Sequence, residues 1–411
     1  MTTARVSVPA GRVSRTEAVG RTSVLQRPLA SYYLVVVTTG LLLAIGFVMV
    51  LSASSVRSYS TYGSSYTIAI KQGTFIAIGL PLMWLASRLP VRFYRLAAAP
   101  LLLASIGLLV LVLVPGIGHG THGARRWISL PAGFNLQPSE LAKLALVLWG
   151  ADLLVRKKKL LRDWKHLLVP LVPVACLLAM LIMLEPDMGT TIVVLGILMA
   201  LLWVVGTPMR VFGVLLTATF SLGALLAVAE PYRLRRLVSF LDPCAAHQRL
   251  HEGYQACQGL QAMTSGGWFG LGLGASREKW VGGLPKPYTD FVYAIVGEEL
   301  GLLGTLTVLL LFATVVYAGF RIANRTKDPF ARLAAAGITV WIAAQALVNI
   351  GTVVGLVPVT GIPLPLISFG GSALVLNLVA LGILLSFART EPGAEAALRQ
   401  HRGRVRALLR R

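Results

Sequence analysis

The sequence predicts an all-α integral membrane protein of about ten transmembrane helices, with one long extracytoplasmic loop between the seventh and the eighth. Three observations predict it. Of the 411 residues, 56% are hydrophobic and 13% charged, with a mean hydropathy of +0.74, whereas soluble domains carry about 25% charged residues. Apolar stretches of roughly 17–25 residues recur along the chain, the length a helix needs to cross about 30 Å of hydrocarbon. These runs are continuously apolar instead of alternating, so each can satisfy its backbone within itself as a helix, which a barrel strand cannot do.

In order, the predicted spans are 31–53, 67–87, 95–115, 138–155, 166–184, 188–206, 209–229, 288–320, 333–357 and 366–388. They form one membrane domain, 31–388, between basic tails at 1–30 and 389–411, with the long outer loop at 230–287. No 20- to 50-residue repeat is visible. The first tail carries Arg5, Arg12, Arg15, Arg21 and Arg27 without an apolar core, so no cleavable signal peptide is expected before the first span.

The 38 Lys+Arg against 16 Asp+Glu give a net charge of +22. With the amino terminus in the cytoplasm, the loops at 88–95, 156–165, 207–210 and 321–332 and both tails lie inside and hold 26 of the 38 basic residues. The inside run Arg156, Lys157, Lys158, Lys159, Arg162 and Lys165 is the densest. Ten lie outside, seven of them in the long loop where the charge rule is weakest, and Lys71 and Lys143 fall within spans. The charge is therefore read as orientation and contact with anionic lipid, not as a nucleic-acid partner, and the tail ending in Arg404, Arg406, Arg410 and Arg411 as a basic arm near the lipid surface.

Three cysteines exclude a disulfide framework. Cys244 and Cys257 share the outer loop, in an oxidising compartment, and are a candidate disulfide; Cys176 in the fifth span reads as a small hydrophobe. No G-x-x-x-x-G-K-[ST], H-E-x-x-H or G-x-S-x-G motif occurs, which removes the usual support for ATP-driven transport, zinc proteolysis and acyl transfer. His119 with His122, and His247 with His251, have spacings a metal could use, but no carboxylate or cysteine set completes a site, and the metal stays unassigned.

Ionisable groups are costly in lipid, so the few acids near spans carry the functional argument. Glu185 and Asp187 bracket Pro186, Asp290 opens the eighth span, and Glu140 begins the fourth, all on the outer side. Glu140 and Lys143, at i and i+3, read equally as a partly buried ion pair or as part of a site. Arg125 and Arg126 beside Trp127 are either an interfacial anchor or a guanidinium fork for pyrophosphate. Asp290 is either a helix cap or a catalytic base. Glu298 lies eight residues further on, about 12 Å along a helix, so the two acids do not form a close catalytic pair. The proline- and glycine-rich stretch from Gly355 to Ser372, with Ser368 within it, is irregular backbone of the kind that lines a cavity at membrane depth, or a turn before a kinked helix.

Together these segments resemble the shape, elongation, division and sporulation (SEDS) family. The resemblance covers about 31–388. It rests on Ala124-Arg125-Arg126-Trp127, Gln137-Pro138-Ser139-Glu140, Glu185-Pro186-Asp187, Thr289-Asp290-Phe291 with Gly297-Glu298-Glu299-Leu300-Gly301, and Pro363-Leu364-Pro365-Leu366-Ile367-Ser368 followed by Gly370-Gly371-Ser372. It implies an inverting glycosyltransferase that polymerises lipid II into peptidoglycan strands, working with a class B penicillin-binding protein transpeptidase and other division proteins in the bacterial cytoplasmic membrane. Carried onto this chain, it implies Asp290 as the catalytic base, and Arg126, Arg125, Lys143, Glu185, Glu140 and Ser368 around substrate and pyrophosphate, with a Mg or Mn ion as an optional helper. Val296 to Gly301 and Ile367-Ser368-Phe369 resemble the division branch, FtsW, more than the elongation branch, RodA, which implies work at the septum. Departures from the family pattern are His122, Phe369, Ala373, and Lys286 with Tyr288 just before the aspartate. The rival readings are a RodA-type elongation polymerase, a lipid II flippase, whose path would carry polar groups on both sides, and a scaffold for division partners.

Overall fold

A computed structural model describes residues 29–120, 125–130, 134–158, 168–229, 239–245, 253–280 and 282–394. The arginines of the first tail, His122, Lys159, Arg162, Lys165, His247, His251 and the basic arm after residue 394 lie outside the described residues.

Each of the ten apolar stretches is a helix. The first three are α1 (Ala30–Tyr62), α2 (Thr67–Arg88) and α3 (Val91–Leu113); after a small sheet come α4 (Pro138–Arg156), α5 (Leu171–Leu184), α6 (Met188–Val205) and α7 (Met209–Ala229). The outer-loop segment contributes a short helix, α8 (Tyr254–Ser265), and the chain closes with α9 (Val292–Arg325), α10 (Pro329–Val353) and α11 (Gly371–Ala388). Among the described residues, α1, α2, α3, α6, α9, α10 and α11 are long and apolar enough to cross a membrane by themselves. Of the other three, α4 carries Glu140, Lys143, Asp152 and Arg156, α5 has only 14 residues, and α7 is an apolar helix of 21 residues.

Boundaries depart from the sequence reading where punctuation outweighs hydropathy. Asp328 caps α10, its carboxylate accepting from the amides of Phe330 and Ala331, and Pro329 takes the first helical position, so this helix starts earlier than the predicted 333. Residues 354–370 stay irregular, because Pro358, Pro363 and Pro365 cannot sustain a helical ladder, and α11 starts only at Gly371. Two features were not expected. Before α4 the chain makes a three-stranded antiparallel sheet of β1 (Gly118–His119), β2 (Trp127–Leu130) and β3 (Phe134–Leu136). α8 is polar along much of its length, with Gln255, Gln258 and Gln261, so a search for apolar runs passes over it.

α4 runs through the centre, almost wholly buried and packed against α3, α6 and α10, while α2 lies along α11 and α1 along α9. At one end of the bundle Asp152 is held by Arg95 at 3.1 Å and Arg156 at 2.7 Å. Glu140, Glu185, Asp290 and the proline-rich segment gather at the other.

α9 is continuous only in outline. Gly301 has φ 67° and ψ −162°, outside helical space. The loop after α8 stitches the break: Leu271 and Gly272 donate to the carbonyls of Glu298 and Glu299, and Leu302 and Leu303 donate to those of Gly267 and Trp268. A Cβ on Gly301 would lie 2.4 Å from the Gly270 nitrogen, so the close approach of loop and helix requires glycine here.

Candidate active site

Asp290 sits in a turn just before α9. The cap position of that helix is Phe291, which makes no side-chain cap bond, so the carboxylate of Asp290 is not occupied as a helix cap. Its Oδ1 accepts from Thr289 Oγ1 at 2.9 Å, and its Oδ2 from Gln255 Nε2 of α8 at a longer 3.4 Å. Burial raises its pKa above the ordinary carboxylate range, and the bonds from Thr289 and Gln255 and the charge of Lys286 oppose that rise. The result is a half-buried carboxylate that is more basic than an exposed aspartate, as a general base at neutral pH should be. Beyond Gln255 lies a cavity of about 260 Å³, lined also by Leu260, Thr352, Gly355, Val357 and Val359.

The main chain at Asp290 is fixed from α10. Asn349 Nδ2 donates at 2.7 Å both to the Asp290 carbonyl and to that of Ile362. One turn earlier Gln345 Nε2 donates to the Pro363 carbonyl at 3.1 Å, while its Oε1 accepts from Trp341 Nε1 and Lys143 Nζ, each at 2.9 Å. Trp341, Gln345 and Asn349 thus form a stripe at spacing four on one face of the helix. The sequence reading did not single them out. They carry no charge, and the available signal was two buried amides in an otherwise apolar span.

Lys143 completes this network. Its Nζ lies 2.6 Å from Glu140 Oε1 and 5.1 Å from the centre of the Trp341 ring. Lys143 is 0% and Glu140 1% exposed. Of the two readings the sequence left open for this pair, the geometry is that of a buried ion pair with an amide bridge to the proline-rich segment.

Arg126 and Glu185 also come together, through the main chain. Arg126 Nε donates to the Glu185 carbonyl at 3.0 Å and Nη2 to that of Pro186, so this guanidinium grips the α5–α6 turn. Both carboxylate oxygens of Glu185 are buried without a hydrogen-bond partner among the described residues. Burial, reinforced by Asp187 and opposed by Arg126, pushes its pKa up to about 8. Asp187 caps α6 through the Thr190 amide and accepts from Gln137 Nε2 at 3.2 Å. The Gln137 amide in turn donates to Ser372 Oγ.

Arg125 is exposed, with a long 3.5 Å bond to the Leu113 carbonyl. Ser368 is buried, and its Oγ accepts from the Leu364 amide within the proline-rich segment. Glu298 and Glu299 hold the outer loop. Glu298 binds Ser276 Oγ at 2.6 Å and the Arg277 amide at 2.7 Å, and Glu299 binds Ser52 Oγ at 2.6 Å and Lys279 at 3.5 Å. In the same loop Cys244 and Cys257 form a disulfide, while Cys176 is exposed on α5. Among the described residues no three His, Cys, Asp or Glu side chains stand close enough to hold a metal ion.

A model of the FtsW, RodA and SpoVE family, described as "Cell cycle protein", matches residues 32–392. The chain belongs to that family. It is 46% identical over 387 residues to the "Probable peptidoglycan glycosyltransferase FtsW" of Mycobacterium tuberculosis, covering 94% of this chain and 73% of that one. It is 40% identical over 356 residues to stage V sporulation protein E of Bacillus subtilis, covering 87% and 96%. Among solved structures it superposes on a chain of a peptidoglycan synthase complex with a TM-score of 0.70 at 29% identity, covering 87% of this chain and 97% of that one. The rod shape determining protein RodA of Thermus thermophilus gives 0.63 at 29% identity, covering 87% and 96%. These relatives fit the all-α, multi-pass membrane architecture.

Proposed function

We propose that this protein is a peptidoglycan glycosyltransferase that polymerises lipid II into glycan strands at the outer face of the bacterial cytoplasmic membrane, for the septal wall. The observation that carries the reading is Asp290, a carboxylate not used as a cap, raised in pKa by burial and bonded to Gln255, which lines a cavity, in a chain whose relatives bear that activity in their names. In the reaction, Asp290 removes the proton from the acceptor sugar's 4-hydroxyl. That oxygen forms the new bond to the donor's anomeric carbon, and the bond from that carbon to the diphosphate breaks, its electron pair leaving with the polyprenyl diphosphate. An α-linked donor becomes a β-linked strand. The leaving group is already good, so one base suffices without a strong general acid. Among the described residues no dedicated cation site is formed.

The same reading takes the ten helices as ten crossings with both ends in the cytoplasm, places the basic tails at the inner lipid surface, and supplies a class B penicillin-binding protein as partner. The positive-inside distribution supports the orientation. The relationship to a chain of a peptidoglycan synthase complex supports the partner. A flippase would need a polar path through the bundle, and the acid of α4 at the opposite end, Asp152, is ion-paired with Arg95 and Arg156.

The test is glycan polymerisation on labelled lipid II by the purified protein, with and without a cognate transpeptidase. Wild type with its partner is expected to make polymer and Asp290→Ala none. Full polymer from Asp290→Ala would refute the base, and transbilayer movement of lipid II without polymer would favour the flippase.

A further inference from the structure

The proposed chemistry needs cations near Asp290 to hold a diphosphate, and the cations first expected in that role are engaged elsewhere. Arg126 grips the Glu185 and Pro186 carbonyls, and Lys143 is buried against Glu140 and Gln345. Three other cations stand around Tyr62, Tyr288 and Asp290 from separate parts of the chain. Arg57, near the end of α1, faces the hydroxyl of Tyr288, two residues before Asp290. Lys71, on the first turns of α2, lies 4.8 Å over the Tyr62 ring, and Tyr62 in turn neighbours Tyr288. Lys286 acts on Asp290 through its charge, and its carbonyl accepts from both the amide and the hydroxyl of Thr289. Lys286 has φ 52°, a left-handed conformation that a residue with a side chain rarely takes, and such local strain concentrates where ligands bind. All three cations are exposed.

Between them runs an aromatic platform. Phe75, one turn along α2 from Lys71, meets Phe369 edge to face at 6.4 Å, and Phe369 meets Tyr288 at 5.8 Å. Tyr59, Tyr62 and Tyr66 stand exposed around the α1–α2 turn, the position of an interfacial aromatic belt. Cations matched to phosphate oxygens, aromatic faces, a lipid boundary and the base two residues away describe a site for a sugar-linked or prenyl-linked diphosphate.

We propose that Arg57, Lys71 and Lys286, around Tyr288, bind the diphosphate of the lipid-linked donor and deliver its sugar to Asp290. This rests on the glycosyltransferase reading, but its binding test does not depend on turnover. The protein in phosphatidylcholine nanodiscs is titrated with farnesyl diphosphate, with inorganic pyrophosphate and phosphatidylglycerol as competing arms. Wild type should prefer farnesyl diphosphate by at least tenfold over phosphatidylglycerol. The Arg57→Gln/Lys71→Gln double variant should raise its Kd at least tenfold and Lys286→Gln severalfold, with melting temperatures unchanged, while Arg210→Gln, an exposed arginine at the start of α7, should change nothing. Wild-type affinity in both the double variant and Lys286→Gln would overturn the site. Equal affinity for phosphatidylglycerol would reduce it to a headgroup contact, and pyrophosphate binding as tightly as farnesyl diphosphate would remove the lipid from the proposal. Asp290→Asn should bind farnesyl diphosphate as wild type does and yet make no polymer. If Asp290→Asn polymerises, the base assignment fails while the binding data still judge the site.

Discussion

A single amide of Asn349 ties the main chain of Asp290 to that of Ile362, donating at 2.7 Å to both carbonyls. The base is thereby positioned by a helix that contributes no group to the proton transfer itself. Asn349→Asp keeps the shape but loses the donor and sets an acceptor against two carbonyls. Leaving buried carbonyls unpaired costs about 1–3 kcal/mol each. The expected outcome is a polymerisation kcat lower by roughly 10- to 100-fold, since about 1.4 kcal/mol is tenfold, with KM for lipid II little changed and Asn349→Gln partly restoring the rate. A change confined to KM would show that Asn349 does not position the base.

Asp290 must be ionised to accept a proton, and its burial raises the pH at which it ionises. Polymerisation should therefore fall off on the acid side at a higher pH than an ordinary aspartate would give. Gln255→Ala removes one bond that favours the carboxylate, so it should move that limb further up in pH. A pH profile of kcat/KM for the two proteins reads both effects.

Glu185 titrates near 8 in the folded protein against an ordinary value of 4.5. Its folded-state pKa is the higher of the two, so the stability it contributes is fully present below about 4.5 and is lost as pH rises through about 8. Wild type in detergent should melt at progressively lower temperature from pH 6 to pH 9, and Glu185→Gln, always neutral, should show a much flatter dependence over the same range. Parallel curves would refute the assignment.

The Glu140–Lys143 pair is a case where removing one partner is worse than removing both. Lys143→Met leaves a buried carboxylate uncompensated, a loss of about 3–5 kcal/mol, whereas Glu140→Gln with Lys143→Met should recover much of it. Thermal melting of the two singles and the double gives the coupling directly. A double variant as unstable as the sum of the singles would deny the interaction.

At Gly301 a methyl group would strike the Gly270 nitrogen and the Trp268 carbonyl, in a backbone conformation that already disfavours side chains. Gly301→Ala should free the outer loop from α9 while leaving the distant helices intact. The expected signature is faster proteolysis within 266–284, with little change in helical circular dichroism.

The spans were legible because each is a long apolar run, and the acidic and arginine motifs because charges are scarce in such a chain. Asp290, Glu185 and Arg126 were all visible in that way. The joining groups were not: Gln345, Asn349 and Gln255 are uncharged amides, whose role depends on which carbonyl or carboxylate stands opposite, and that is fixed only by packing between distant helices. Arg126 was legible as a fork, but its partners are main-chain carbonyls that no side-chain pattern encodes. α8 and the Gly301 break escaped for a related reason, since both draw their stability from the loop and helix pressed against each other.

The central position of α4 bears on how the protein is made. A charge at the middle of a lone helix costs about 2.5–3.5 kcal/mol to insert, and α4 carries Lys143 and Asp152 within its 19 residues besides Glu140 in its first turn and Arg156 in its last. Arg95, which neutralises Asp152, has already been synthesised when α4 emerges, 57 residues later, but Gln345, which bridges Lys143, follows 202 residues after that lysine. The helix around which the bundle is built is thus among the least able to enter lipid by itself. The bond from Lys143 to Gln345 can form only once α10 has been translated, so this contact of α4 does not follow the order of the spans.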